Sequence, residues 1–290
     1  MGNQKQLSGK DVIKIFETYG FFIINNMNFH VVTLFPEMFE SYLGESILAR
    51  AIKEKKIKVN FVNPRKFVTG KYRKVWPDGN VSLQIDERPY GGGPGMVMMA
   101  EPIIKAVEFI QASILKKFSK SSGLLASKIK DEARLKKVSQ NLHSTIKVIN
   151  FSPSGKKFNT AYAKKLVRPI GGYTDIILIC GRYEGVDARI DKILKTEQVS
   201  IGEYVLTGGE LPAMVLIDCI SRQVSGVLGN FDSREEERVS SGEIYTRPEI
   251  LEHTYVDKKE EKRVRKYPVP AVLLSGDHKK IEEWKKSKKD

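Results

Sequence analysis

The chain has 290 residues, enough for one large domain or two smaller ones, and its 41% hydrophobic and 29% charged composition excludes an intrinsically disordered chain. The 49 Lys and Arg outnumber the 35 Asp and Glu to leave a net charge of +14, which makes a polyanion such as nucleic acid the first partner to consider. Cys180 and Cys219 form no C-x-x-C pair, and His30, His143, His253 and His278 lack metal-ligand spacing, so a disulfide framework and a structural zinc are both excluded.

Residues 1–26 read as an N-terminal extension, and Met27 stands as an alternative start because it opens the first recognisable strand. The apolar patch Gly20 to Ile24 is too short to span a membrane and has no small-residue cleavage site, so the expected location is cytoplasmic. FHVVTL at 29–34 is a strand, the amphipathic stretch from about Pro36 to Lys55 a helix, and IKVNFV at 57–62 the next strand. A Lys- and Ser-rich stretch, about 112–145, reads as an inserted helix or mobile arm. KVINF at 147–151 and the apolar DIILIC at 175–180 are strands on either side of a helix at 159–167, and Leu211 to Ile220 is an apolar helix with Pro212 in its tolerated first turn. Buried strands alternating with helices predict an α/β domain with a largely parallel sheet over 27–228. The polar stretch 229–245 reads as a linker. Residues 246–290 read as a small, basic, helical domain, with Pro248-Glu249 opening one helix and Asp277 capping the last, which runs through Trp284.

Glycine gathers where chemistry is expected. Asp86 to Met96 (DERPYGGGPGM) is too Gly-dense for a casual linker, and three further glycine-bearing segments follow strands: Ser152 to Gly155, Gly181 to Gly185, and Ser200 to Glu210. Loops at the carboxyl ends of parallel strands are where α/β sheets bind ligands, so the three predict one shared pocket. None fits G-x-G-x-x-G or G-x-x-x-x-G-K-[ST], so neither the dinucleotide nor the nucleoside triphosphate mechanism is supported.

In order and spacing, TLFPEMF at 33–39, RPYGGGPGM at 88–96, CGRYEGVD at 180–187, SIGEYVLTGGELPAM at 200–214, SRQVSGVLGN at 221–230 and YTRPEILE at 245–252 resemble the bacterial tRNA (guanine-N1)-methyltransferase family of the SPOUT superfamily. The resemblance runs from Met27 to about Trp284, interrupted by the Lys-rich insert and by a second insert near Val256 to Lys266. It implies an α/β domain with a trefoil knot, against the usual rule of unknotted chains, and a homodimer with active sites at the subunit interface. It implies S-adenosylmethionine as methyl donor, held by Phe151, Ser152, Pro153, Gly155, Gly181, Tyr183, Glu184, Ser200, Ile201, Gly202, Glu203, Tyr204, Val205, Leu206, Gly208 and Gly209. It further implies a tRNA substrate with guanine at positions 36 and 37, methylated on N1 of guanine 37 next to the anticodon, and assistance by Mg²⁺.

Guanine N1 carries a proton at neutral pH, so the reaction needs a general base and a donor for charge developing at O6. By resemblance the arginine is Arg222, and the base falls in the linker, where Glu237 stands in place of the family's aspartate. A glutamate keeps the carboxylate and adds one methylene, and ångström-scale misplacement costs on the order of 100-fold in rate. That substitution motivates an alternative, a weakened homologue that binds adenosylmethionine and tRNA; ribose 2′-O methylation is a third reading. Arg88 and Arg182 lie in the ligand loops as candidate RNA contacts, and the basic tail (Lys262, Arg263, Arg265, Lys266, Lys279, Lys280, Lys285, Lys286) is a candidate grip on the anticodon stem.

Overall fold

The computed structural model describes residues 26–121, 145–167, 172–228, 243–258 and 260–288. The extension before Asn26, residues 122–144 of the Lys-rich insert and residues 229–242 of the linker, including Glu237, lie outside the described residues. The chain divides into two compact units, one ending at Val227 and the other beginning at Leu228.

The first unit is built on five parallel strands: β1 (Met27–Val32), β2 (Ile57–Val62), β7 (Ile146–Lys157), β8 (Asp175–Ile179) and β9 (Glu197–Ser200), in the order β2-β1-β8-β7-β9. β8 is central and buried along its whole length, as its unbroken apolar run demands of a strand covered on both faces. Its side chains alternate between two cores. Ile176 and Leu178 pack with Tyr162, Ala163 and Leu166 of α3 (Thr160–Leu166) and with Leu216, Ile217 and Ile220 of α5 (Glu210–Ser221). Ile177 and Ile179 face Ile103, Ala106, Val107 and Ile110 of α2 (Ala100–Ser121) and Ile190 of α4 (Arg189–Leu194). The result is an α/β/α sandwich in which each fully buried aliphatic side chain contributes about 1.5–3 kcal/mol of transfer free energy.

Two expectations change here. The single helix read over Pro36 to Lys55 is divided into a 3-10 turn (Pro36–Phe39), a helical turn (Glu40–Leu43) and α1 (Ser46–Lys53), because Ser46 adopts a left-handed φ of 53° after Gly44 and interrupts the ladder. Two short hairpins stand between β2 and α2: β3 (Arg73–Val75) pairs with β4 (Val81–Leu83), and β5 (Asp86–Glu87) with β6 (Val97–Met98), so the RPYGGGPG run is the tip of the second.

The second unit corrects the helical reading of residues 246–290. Its first element is an antiparallel hairpin, β10 (Ile250–Val256) with β11 (Lys262–Pro268), and only then come α6 (Ala271–Leu274) and α7 (His278–Ser287). Thr254, Tyr255, Val256 and Val264 are β-formers that outweigh the helix-start signal of Pro248-Glu249. Asp277 caps α7 as expected, its carboxylate accepting from the Lys280 N–H at 3.2 Å. Among the described residues of this unit none is buried.

Candidate functional site

A bulge within β7 and the loops at the carboxyl ends of β8 and β9 meet and enclose a cleft of about 360 Å³. Ser152 to Gly155 does not leave the strand as the Pro and Gly had suggested. Phe151 pairs with Val199 of β9, the four residues loop out, and Lys156 returns to pair with the same Val199. A Cβ on Gly155 would lie 2.6 Å from the Val199 backbone nitrogen, so only glycine lets the chain re-enter the sheet there. Ser152 and Pro153 of this bulge line the cleft.

The second wall is Gly181 to Val186 after β8. It is held from outside by the RPYGGGPGM hairpin: the Glu184 N–H donates to the Met96 carbonyl at 3.0 Å and the Met98 N–H to the Gly185 carbonyl at 2.9 Å. Gly95 takes a φ of +81°, which L side chains rarely adopt, and the Glu184 side chain lies over it. Tyr183 adopts a left-handed φ of 60°, and its half-exposed ring reaches the cleft.

The third wall is Ser200 to Gly209 after β9. The Ser200 hydroxyl donates to the Gly202 carbonyl at 2.8 Å and closes the first turn. Further on, the Gly209 N–H donates to the Gly181 carbonyl at 3.0 Å, and a Cβ on Gly209 would be 2.7 Å from Cys180 Cα, so this loop lies directly against the end of β8. Burial pushes the Cys180 thiol well up, which keeps it neutral in this packed position.

Beneath the loops is a buried polar anchor. Glu210 opens α5 and is 1% exposed; one carboxylate oxygen accepts from the Thr33 hydroxyl at 2.8 Å and the other lies 2.9 Å from Arg182 Nε, close but not aligned as a hydrogen bond. The Arg182 guanidinium sits 4.7 Å from the Phe35 ring centroid and donates to the Thr207 carbonyl at 3.4 Å. One ion pair therefore ties the β8 loop, the β9 loop and the TLFPEMF segment together. A second polar set lies at the floor: Asp191 accepts from the Asn150 amide at 3.0 Å and the Gln198 amide at 2.6 Å. The Asn150 Oδ1 atom is buried there without a partner.

Of the residues named from sequence for the donor, Phe151, Ser152, Pro153, Gly181, Tyr183, Glu184, Ser200, Ile201, Gly202, Tyr204, Val205, Leu206, Gly208 and Gly209 line this one cleft, with Arg182 beside them. Gly155 and Glu203 are outside the lining; Gly155 supports the bulge, and Glu203 pairs with Lys157. Arg222 is the half-buried C-cap residue of α5 and Arg88 is exposed on the β5–β6 hairpin; neither lines the cleft. The sequence reading missed Asn150, Val186, Ala188, Asp191, Gln198, Val199, Thr207 and Pro212. Asn150 ends an apolar strand run and was the one signal available, a polar residue where burial was expected.

The sequence profile of the tRNA (guanine-1)-methyltransferase TrmD family matches residues 27–290. The chain belongs to that family. A tRNA (guanine-N(1)-)-methyltransferase of Clostridioides difficile is 38% identical over 264 residues, covering 90% of this chain and 91% of the relative. Proteins with the same name from Saccharophagus degradans and Pseudoalteromonas atlantica are 40% and 38% identical; each alignment covers 89% of this chain, and 81% and 78% of the relative. The family's α/β unit with its parallel sheet is the one that carries the cleft. Among the described residues no helix is long and apolar enough to cross a membrane, and no three His, Cys, Asp or Glu side chains gather to hold a metal.

Proposed function

We propose that this member of the family transfers a methyl group from S-adenosylmethionine to N1 of guanine 37 in a tRNA that has guanine at positions 36 and 37. The observation that carries the reading is the cleft: fourteen of the sixteen residues named for the donor line a single space between the β7 bulge and the loops at the carboxyl ends of β8 and β9. The space suits the donor. Asn150 Oδ1 is a buried acceptor at its floor, without a partner among the described residues, for an N–H of the donor.

When bound, S-adenosylmethionine supplies an electrophilic methyl on a sulfonium that departs as a neutral thioether. The chain's own residues then have two tasks. Glu237 accepts the N1 proton of guanine, and Arg222 donates to O6 as negative charge develops there. The described residues present no cluster of carboxylates that would hold Mg²⁺.

A homodimer with a trefoil-knotted subunit and a cytoplasmic location belong to the same proposal. The exposed apolar residues Val205, Leu206, Leu211 and Val215 beside the cleft support a second subunit covering this edge, and the Gly209–Cys180 approach supports a chain that returns past the end of β8. Sedimentation that gives a monomer at micromolar concentration would overturn the dimer.

The deciding experiment is methylation by the full chain with labelled adenosylmethionine. Label should enter tRNA with guanine 37 and not the same tRNA with adenine 37; equal labelling of both overturns the reading. Arg222→Ala should abolish transfer while calorimetric donor binding persists. If the parent is inert and Glu237→Asp restores transfer, the weakened-homologue reading takes its place.

A further inference from the structure

The second insert in the family resemblance, near Val256 to Lys266, is the part of the chain that builds the turn and most of β11 of the C-terminal hairpin. All fourteen residues of its two strands are exposed. Register sorts them into unlike faces, since directly opposed residues of an antiparallel pair point the same way. One face carries Leu251 opposite Tyr267, His253 opposite Arg265 and Tyr255 opposite Arg263. The other carries Ile250 opposite Pro268, Glu252 opposite Lys266, Thr254 opposite Val264 and Val256 opposite Lys262.

The first face is ordered as a set of rings. The His253 and Tyr255 rings are stacked at an interplanar angle of 11°, and the Arg265 guanidinium lies 5.4 Å from the Tyr267 centroid. Its strand residues include no acid; Asp257, in the turn, takes Arg263 at 2.7 Å, Glu261 adds a contact at 3.1 Å, and Arg265 makes no ion pair among the described residues. On the second face Lys266 is neutralised by Glu252 at 2.9 Å. An isolated two-stranded hairpin is marginal in water, and this unit has no buried residue among those described to hold it. Rings at alternate strand positions with an unneutralised arginine across from them are what an exposed sheet needs to stack unpaired bases and grip their phosphates.

We propose that this face of the hairpin is a stacking platform for unpaired nucleotides of the RNA substrate, with His253, Tyr255 and Tyr267 meeting base faces and Arg265 the backbone. The inference rests on the tRNA reading above and goes beyond it, because the platform is assembled by an insert that interrupts the family resemblance: Arg265 lies within it, and His253, Tyr255 and Tyr267 flank it. Base–aromatic stacking is worth about 1–3 kcal/mol per base, so removing two rings is a change of about tenfold or more in affinity.

The test uses the full chain, a tRNA transcript and a blunt RNA duplex of equal charge, with titration by anisotropy. The pair Tyr255→Leu, Tyr267→Leu should weaken tRNA binding about tenfold or more, leave duplex binding within about twofold, and leave calorimetric binding of adenosylmethionine unchanged. The pair Tyr255→Phe, Tyr267→Phe keeps both rings and should bind as the parent does, which separates stacking from folding of the hairpin. Unchanged tRNA affinity in the leucine pair overturns the inference, as does equal weakening toward tRNA and duplex. A shift in oligomeric state at constant tRNA affinity would assign the face to self-association and likewise overturn it. Methylation by the parent in the same preparation keeps the two readings apart. A parent that methylates tRNA beside a leucine pair with unchanged KM for tRNA defeats only the platform, whereas a parent that methylates no tRNA defeats the proposed function and the platform with it.

Discussion

The cleft and the C-terminal hairpin are built on opposite principles. The cleft is shaped by backbone: glycines let three segments approach within van der Waals contact, and a buried carboxylate fixes them to the core. Whatever disturbs the fold there disturbs the cleft. The hairpin presents its side chains and buries none of its strand residues. There, changes in residue type alter what is touched and disturb no buried packing. Surface shape and folding stability are therefore coupled in one region and separate in the other.

The strongest way to sharpen that contrast is Gly209→Val, which forces a branched side chain against Cys180 Cα. It should abolish calorimetric donor binding and destabilise the first unit by at least about 3 kcal/mol, the upper end for overpacking, read as a lower denaturant midpoint. Next is Glu210→Ala, which leaves Arg182 without its buried partner and should cost about 3 kcal/mol. Preserved stability in either variant would break the claim that the cleft and the core are one structure.

An intermediate effect comes from pH. Burial alone would push the Glu197 carboxyl up, but the Lys147 ammonium beside it, helped by Lys156 at 3.8 Å, leaves it below its ordinary value of 4.5. A carboxylate lowered in the folded state contributes stability that is present above about pH 4.5 and is lost as pH falls toward its folded value. Unfolding of the first unit should thus become easier below about pH 4.5, and Lys147→Met should flatten that dependence. The smallest effect is expected in the other unit. Asp277→Ala removes the α7 cap at a cost of about 1 kcal/mol, seen in the helical circular dichroism of the C-terminal unit, and should leave donor affinity untouched.

The same contrast governs what could be read from the residues. β8 was legible because a strand buried on both faces must be apolar throughout, and the three cleft loops because glycine marks close approach. The hairpin was not, since a strand that buries neither face has no reason to alternate apolar with polar; ILEHTYV and KRVRKYP carry charge and rings on both sides. The bulge after Phe151 was misread for a different reason. Ser, Pro and Gly signal that a strand is interrupted, but whether the chain then resumes pairing is decided by its neighbour β9 and not by local sequence. Asn150 and Asp191 escaped notice because their contact spans 41 residues of chain.

That bulge has one more consequence. Phe151 and Lys156 both pair with Val199, so the loop between them begins and ends at the same rung of the ladder. Residues can be added or deleted among Ser152, Pro153 and Ser154, with Gly155 kept for the return, without sliding any other strand pair by a single step. The sheet is insulated from the length of this loop, and the cleft can be resized in evolution or by design while the core beneath it keeps its register.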